Sequence, residues 1–184
     1  MRLTLCVATL WLAGCAAVPP HDAAATARPL LANITAFSFD GRLSARQGER
    51  PNHANISWRH TAAGDDILLT TPLGQGVAEI TRDASGARLV GADGQVMTAS
   101  DWRALAARAF GFELPLGDLA RWVLGDAPAT QRDALGRTET ATADGWQMRY
   151  LDYESAAPNA LPVLMEFRRD DIELRLKVDA WQMP

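Results

Sequence analysis

The chain has few residues of the types that usually carry out catalysis or form cross-links. Its 184 residues include only two cysteines, Cys6 and Cys15, and three histidines, His21, His53 and His60. The histidines do not form a metal-binding pair on a helix, and we expect His53 and His60 to face solvent or a sheet edge. The sequence contains no Gly-x-Ser-x-Gly elbow and no phosphate-binding glycine loop. It therefore predicts neither an enzyme nor a metal or other cofactor site.

The chain also lacks an excess of positive charge. Its formal net charge is -4, and charges of both signs are interspersed without long runs. A surface of this kind has no basic stripe for nucleic acid. The adjacent carboxylates Asp65-Asp66 and Asp170-Asp171 fall at the starts of predicted strands. We expect both pairs to be solvated turn charges rather than an acid–base couple.

The N-terminus has the three-part layout of a secretory signal. Met1-Arg2 is a short positive start, and residues 3–11 form an apolar run that is too short to span a bilayer. Leu12-Ala13-Gly14-Cys15 matches the lipobox of bacterial lipoproteins. This match predicts that residues 1–14 are a signal peptide and that Cys15 becomes the acylated N-terminus.

Removal of the signal leaves Cys15 as the only cysteine, which excludes a disulfide within the mature domain. The fold must therefore depend on its hydrophobic core. Ala16, rather than Asp, follows the cysteine, and in enteric-type sorting this indicates release to the outer membrane. Residues 15–32 are rich in alanine and proline and are predicted to be a tether, and residues 33–184 to be one domain.

Period-two alternation of apolar and polar residues predicts strands in both halves of this domain. Asp93-Gly94 is a hairpin signal in the first half. The predicted strands of the first half cover residues 37–45, 54–59, 66–71, 77–82, 87–91 and 95–99. Those of the second half cover residues 131–142, 146–150, 163–168 and 172–180.

The periodicity is helical between these two sets of strands. Ser100 is a predicted helix cap, and Gly111 a predicted helix end. Pro115 is predicted to open a second helix that ends by Gly125. The order meander, helical pair, meander predicts a single antiparallel sheet that curls into a barrel, with the helices across one opening.

Two apolar features are candidates for function. Trp58, Trp102 and Trp122 lie on elements expected to meet at the barrel mouth, where they could line a cavity, whereas core packing explains Trp146 and Trp181. The loop Thr71-Pro72-Leu73-Gly74-Gln75-Gly76 has a leucine at its predicted tip. Composition alone favours folding of that leucine back onto the barrel.

Taken together, several segments resemble the LolB family of outer-membrane lipoproteins. They span nearly the whole mature chain, and their order and spacing are more specific than any one segment. They are the lipobox, Phe39-Asp40-Gly41-Arg42-Leu43, the strand ending in Trp58, Leu68 to Gly74, Leu114-Pro115-Leu116 with Leu119, Trp122, Leu124 and Gly125, Gly145-Trp146 with Tyr150, and the last strand ending at Trp181.

The resemblance implies a mainly β fold: an incomplete antiparallel β-barrel with a hydrophobic cavity covered by a lid of short α-helices. The cavity would accept the acyl chains of lipoproteins from a LolA-like periplasmic carrier, with no cofactor. The residues expected to line it are Trp58, Leu69, Trp102, Leu119 and Trp122.

The resemblance also assigns roles outside the cavity. Pro72, Leu73 and Gly74 would form a loop that inserts cargo into outer-membrane lipid, with Leu73 as the residue needed for that step. Cys15 would be the lipid attachment site on the periplasmic face of the outer membrane. The protein is expected to act as a monomer without nucleic acid.

Two other functions remain open from the residues. An envelope-assembly lipoprotein that docks onto another protein would have a filled barrel core and an external apolar patch. A lipoprotein hydrolase would need a converging acid, base and nucleophile, for which the sequence offers no candidates. A hollow barrel interior would favour the transfer receptor.

Overall fold

The computed structural model describes residues 31–48 and 50–183. The predicted signal peptide, Cys15 and nearly all of the tether lie outside the described residues. Within the described residues, the predicted order of meander, helical pair and meander is confirmed.

The described residues form one antiparallel sheet of eleven strands. The spatial order is β6-β5-β4-β3-β2-β1-β11-β10-β9-β8-β7, so each meander keeps its chain order and the two meet where β1 pairs with β11. No pairing joins β6 to β7 in the described part of the chain, and the barrel is incomplete. The strands are β1 Phe37–Gln47, β2 Arg50–Thr61, β3 Gly64–Thr70, β4 Gly76–Asp83, β5 Gly86–Gly91, β6 Val96–Ala99, β7 Ala129–Arg132, β8 Thr138–Ala143, β9 Trp146–Tyr153, β10 Pro162–Arg169 and β11 Ile172–Gln182.

Two helices lie in sequence between the edge strands β6 and β7. Helix α1 covers Trp102–Phe110 and packs against β5 and β6, and helix α2 covers Leu116–Trp122. Arg108 of α1 donates a hydrogen bond to the Thr98 carbonyl of β6 at 2.8 Å, which occupies part of that edge. The helices therefore cover the side on which the sheet does not close.

The cap of α1 differs from the prediction by one residue. Asp101, not Ser100, is the N-cap, and its carboxylate accepts a hydrogen bond from the Ala104 backbone at 2.9 Å. Either residue can cap a helix, and the extended backbone of Asp101 decides between them. Gly111 ends the helix in the left-handed conformation at φ 79°, as predicted.

The strand predicted over residues 131–142 is wrong, because the structure has a hairpin there, formed by β7 and β8. Asp133 makes the turn: its carboxylate accepts hydrogen bonds from the backbone N–H of Leu135 and Arg137, both at 2.9 Å. Gly136 provides the left-handed residue at φ 80°. Short polar side chains that bond to nearby backbone end a strand in this way.

The junction of β1 and β11 contains a register shift between Asp40 and Gly41. The backbones approach so closely there that a Cβ atom on Gly41 would collide with the Lys177 carbonyl oxygen. The atoms in the way belong to the backbone of β11, which cannot move aside as a flexible side chain could. This position therefore requires glycine.

We expect Gly41→Ala to lower the free energy of unfolding by about 1–3 kcal/mol, the usual cost of overpacking. The change would push apart the strands that join the two meanders. Urea denaturation monitored by tryptophan fluorescence measures it. Gly76→Ala is the control, because a Cβ atom at Gly76 meets no atom within 4 Å. Equal stability of the two variants would contradict the argument.

Candidate functional site

An apolar cavity of about 170 Å³ lies between the concave face of the sheet and the helical segment. Strands β1 to β4, β10 and β11 supply its floor, and residues from α1 through α2 supply its roof. All sixteen lining residues are apolar: Leu43, Ala45, Ile56, Trp58, Ile67, Leu69, Ile80, Trp102, Phe110, Phe112, Leu114, Leu119, Val123, Phe167, Leu174 and Leu176.

The cavity is buried at its base and partly open at its roof. Ile56, Ile67 and Ile80 are buried at the base, whereas Phe110 in the roof keeps 37% of its surface exposed. Phe110 and Phe112 lie at and just beyond the end of α1, with ring centroids 6.1 Å apart. This roof segment, residues 110–114, is the partly exposed boundary between the cavity and solvent.

The structure brings four of the five predicted cavity residues together. Trp58, Leu69, Trp102 and Leu119 line the cavity. Each comes from a different element, β2, β3, α1 and α2 respectively. The predicted elements and the family resemblance therefore identified apolar side chains that only the fold assembles into one wall.

Trp122 is the exception, because it does not line this cavity. Leu119 and Val123 lie one helical turn apart and both face the cavity. Successive residues of a helix point about 100° apart, so the side chain of Trp122 points in a different direction from that of Val123. The side chain of Trp122 is buried and borders a separate surface pocket beside Asp118 and Arg121. Its carbonyl oxygen accepts a hydrogen bond from the Tyr150 hydroxyl at 2.7 Å.

The other two tryptophans pack as expected. Trp146 is almost fully buried, with its ring 6.4 Å from that of Phe112. Trp181 makes edge contacts with Phe37 and Phe39 and donates from Nε1 to the Pro162 carbonyl at 2.9 Å. Both stabilise the core around the cavity.

A buried carboxylate holds one cavity tryptophan in place. Asp65 Oδ1 accepts a hydrogen bond from Trp58 Nε1 at 2.9 Å and lies 2.6 Å from His60 Nδ1. Asp65 Oδ2 accepts from Arg82 Nε at 2.6 Å. The ring of His60 also stacks on Phe37 at 5.0 Å between centroids.

This cluster corrects two expectations. Asp65 is 3% exposed and His60 is partly buried, whereas the sequence predicted solvated turn charges and a solvent-facing or edge histidine. The strand register explains the difference, because Asp65 pairs with His60 on one side and with Arg82 on the other. Asp66, Asp170 and Asp171 are exposed, as expected.

The hydrogen bonds decide the ionisation of Asp65. Burial alone would raise the pKa of this carboxyl group, but hydrogen bonds from His60, Trp58 and Arg82 outweigh it, and its pKa lies below the usual value. A lowered folded-state pKa stabilises the protein above the unfolded-state pKa. That contribution is lost as the pH falls through the folded-state pKa.

The loop between β3 and β4 projects from the sheet. Thr71 and Gln75 close it through a backbone hydrogen bond of 2.7 Å, and Gly74 adopts φ 84°. Leu73 at the tip is 91% exposed, and Pro72 and Gly74 are exposed as well. The expectation from composition that Leu73 folds back onto the barrel is therefore wrong.

Other kinds of site find no support in the described ranges. Residues 31–48 and 50–183 contain no group of three metal-ligating side chains. Among their helices none is both long and apolar enough to cross a membrane.

The fold and its cavity define a class: small, incompletely closed antiparallel barrels that enclose an apolar space beneath short helices. A solved structure with the same overall fold is that of a DUF1329 family protein from Desulfovibrio piger. Its TM-score is 0.50 at 9% identity, and the match covers 88% of this chain and 90% of that chain.

Sequence comparison identifies the family. The family model for outer membrane lipoprotein LolB matches residues 35–181. The outer-membrane lipoprotein LolB of Azoarcus sp. (strain BH72) is 35% identical over 97% of this chain and 93% of its own length. The outer-membrane lipoprotein LolB of Nitrosomonas europaea is 39% identical over 79% of this chain and 72% of its own length. The chain belongs to the LolB family.

We expect Asp65→Asn to destabilise the protein by about 1.5–3 kcal/mol at neutral pH, the range for hydrogen bonds to a charged group. The difference from the wild type should begin to shrink below about pH 4, the unfolded-state pKa of an aspartate. It should vanish only as the pH falls through the lowered folded-state pKa, where the wild-type carboxyl group is protonated as well. Thermal unfolding across this pH range measures it. Asp66→Asn is the control, and because Asp66 is exposed this change should alter stability little. An equal loss of stability in the two variants would refute the role of the buried cluster.

Proposed function

We propose that this chain is an outer-membrane lipoprotein receptor that takes up the acyl chains of other lipoproteins and inserts them into the membrane. It is anchored through Cys15, faces the periplasm and receives cargo from a LolA-like carrier. The observation that carries the proposal is the cavity with an entirely apolar wall inside the incomplete barrel. Membership of the LolB family supports the same function.

The physical basis of cargo binding is transfer of methylene groups from water. Each buried methylene contributes about 0.8 kcal/mol, so even a short length of acyl chain would bind measurably. The cavity of about 170 Å³ falls below the roughly 300–1,000 Å³ usual for ligand sites. It therefore holds part of a chain, and the roof segment 110–114 must move outward to admit more.

This apolar interior favours transfer over the other two functions. A docking scaffold needs a filled core, whereas here sixteen apolar residues surround open space. A hydrolase needs a nucleophile beside a base, and the cavity wall contains neither. No nucleotide is needed, because cargo moves downhill if each successive site binds its acyl chains more tightly.

The anchor and the loop have different tasks. Two or more acyl chains on Cys15 would anchor the protein firmly, whereas one chain binds only reversibly. Burial of one leucine contributes about 1.5–3 kcal/mol at most, so Leu73 cannot be the anchor. A protruding leucine is suited instead to disturbing the lipid leaflet while cargo leaves the cavity.

Ala45→Phe tests the cavity by filling it. Ala45 lines the cavity and is only partly buried, so the added ring should occupy the space without strain. We expect weaker binding of a fluorescent fatty-acid analogue, by tenfold or more, and reduced uptake of lipoprotein from the carrier. Ala107→Phe, at an exposed position of α1, is the control. Undiminished binding by the Ala45 variant would remove the basis of the proposal.

Leu73→Glu tests the loop. Because Leu73 is exposed, the change should alter stability by no more than about 0.5 kcal/mol. Uptake from the carrier should survive, and delivery into liposomes should fail, since a carboxylate resists entry into the leaflet. A two-step assay with labelled lipoprotein measures both.

Gln75→Glu is the matched control, because it introduces the same charge into the same exposed loop without removing the leucine. Normal delivery by the Leu73 variant would show that Leu73 has no part in insertion. A much lower melting temperature would show that Leu73 is an ordinary packing residue.

A further inference from the structure

A second concave surface lies on the outer face of the sheet, on the side opposite the apolar cavity. It is a groove of about 500 Å³, and Pro72 of the protruding loop forms part of its wall. Asn55 on β2 joins the loop to the groove by donating a hydrogen bond from Nδ2 to the Thr71 carbonyl at 3.2 Å. The groove and the exposed Leu73 are therefore parts of one surface.

The strand register places cations across this groove. Arg42 on β1 pairs with Asn55 on one side and Lys177 on the other, so these three positions form a row beside the loop. In the next row, Arg175 on β11 pairs with Ser44 and Glu166. Arg42, Lys177 and Arg175 all line the groove.

The acidic groups near these cations do not neutralise all of them. Arg42 forms an ion pair with Asp179 at 2.7 Å, and Asp152 lines the far side of the groove. Lys177 has no acidic partner within 4.0 Å among residues 31–48 and 50–183. Glu166 is buried beneath three arginines, at 3.6 Å from Arg149 and 3.5 Å from both Arg168 and Arg175.

We propose that this groove binds the phosphate groups of anionic lipids while Leu73 enters the leaflet. The inference rests on the insertion role proposed for the loop. The chain as a whole carries a formal charge of -4, so an anionic membrane would repel it in most orientations. A cationic groove beside the loop attracts the membrane at one face and orients Leu73 toward it. An acidic protein surface would offer similar charge, but the apolar tip beside the groove favours lipid.

The test uses the mature chain with Cys15→Ala, so that binding to vesicles does not depend on the acyl anchor. Vesicles of phosphatidylcholine alone are compared with vesicles that also contain phosphatidylglycerol. The variant Arg175→Gln with Lys177→Gln removes two cations from the groove. The control variant, Arg59→Gln with Arg88→Gln, removes two exposed arginines from the outer face of β2 and β5, outside the groove.

We expect binding of the groove variant to phosphatidylglycerol vesicles to fall about fivefold for each cation removed, which corresponds to about 1 kcal/mol each. Binding of the groove variant to phosphatidylcholine vesicles should equal that of the wild type. The control variant should lose much less of its binding to phosphatidylglycerol vesicles than the groove variant does. Added salt should reduce the difference in binding between the two variants.

Three results would overturn the proposal. Equal losses in the groove and control variants would show only a long-range effect of net charge. Saturable binding of inorganic phosphate that displaces the protein from vesicles would identify a site for free phosphate. Unchanged vesicle binding with impaired uptake from the carrier would identify a protein-docking surface.

A second measurement on the same three proteins distinguishes failure of the groove proposal from failure of the proposed receptor function. Binding of the fatty-acid analogue reports on the apolar cavity and should be equal in the wild type, the groove variant and the control. If the wild type does not bind the analogue, the receptor function fails. Vesicle binding still decides the role of the groove.

Discussion

Strands β1 and β11 pair from Ser38–Gln182 to Gln47–Ile172, and this pairing unites the two meanders in one sheet. The inner faces of both meanders contribute to the cavity, from Leu43 and Ile56 in the first to Phe167 and Leu176 in the second. Neither meander could enclose the cavity alone. The pairing leaves β6 and β7 as free edges, and the helices that connect them in sequence cover this opening.

The cavity wall depends on polar chemistry behind it. A tryptophan in an apolar wall is stabilised when its indole N–H finds an acceptor. Trp58 donates to Asp65 on the neighbouring strand, whereas the buried indole N–H of Trp102 has no acceptor among the described residues. The Asp65 carboxylate is in turn paired with Arg82, whose side chain is partly exposed. A buried charge is tolerated here because every one of its close neighbours donates to it or can carry positive charge. The cluster positions the indole without placing a polar group in the cavity.

The two faces of the central strands have different chemistry because successive side chains point to opposite faces. On β1, Leu43 and Ala45 face the apolar cavity, while Arg42 and Ser44 face the cationic groove. On β11, Leu174 and Leu176 alternate in the same way with Arg175 and Lys177. One short stretch of sheet thus separates the apolar cavity from the cationic groove, and the Leu73 loop adjoins the groove.

The sequence by itself determined the elements with strong local signals: the alternating strands, the helix end at Gly111 and the family resemblance. It also identified Leu73 at a loop tip, although composition favoured the wrong orientation for its side chain. Tertiary structure alone decided which side chains meet. The contact of Asp65 with Trp58 and Arg82 depends on strand register, and Trp122 misses the cavity through the rotation of α2. Periodicity specifies which face of an element is apolar, but the neighbour that covers this face is set by long-range pairing, which no local pattern encodes.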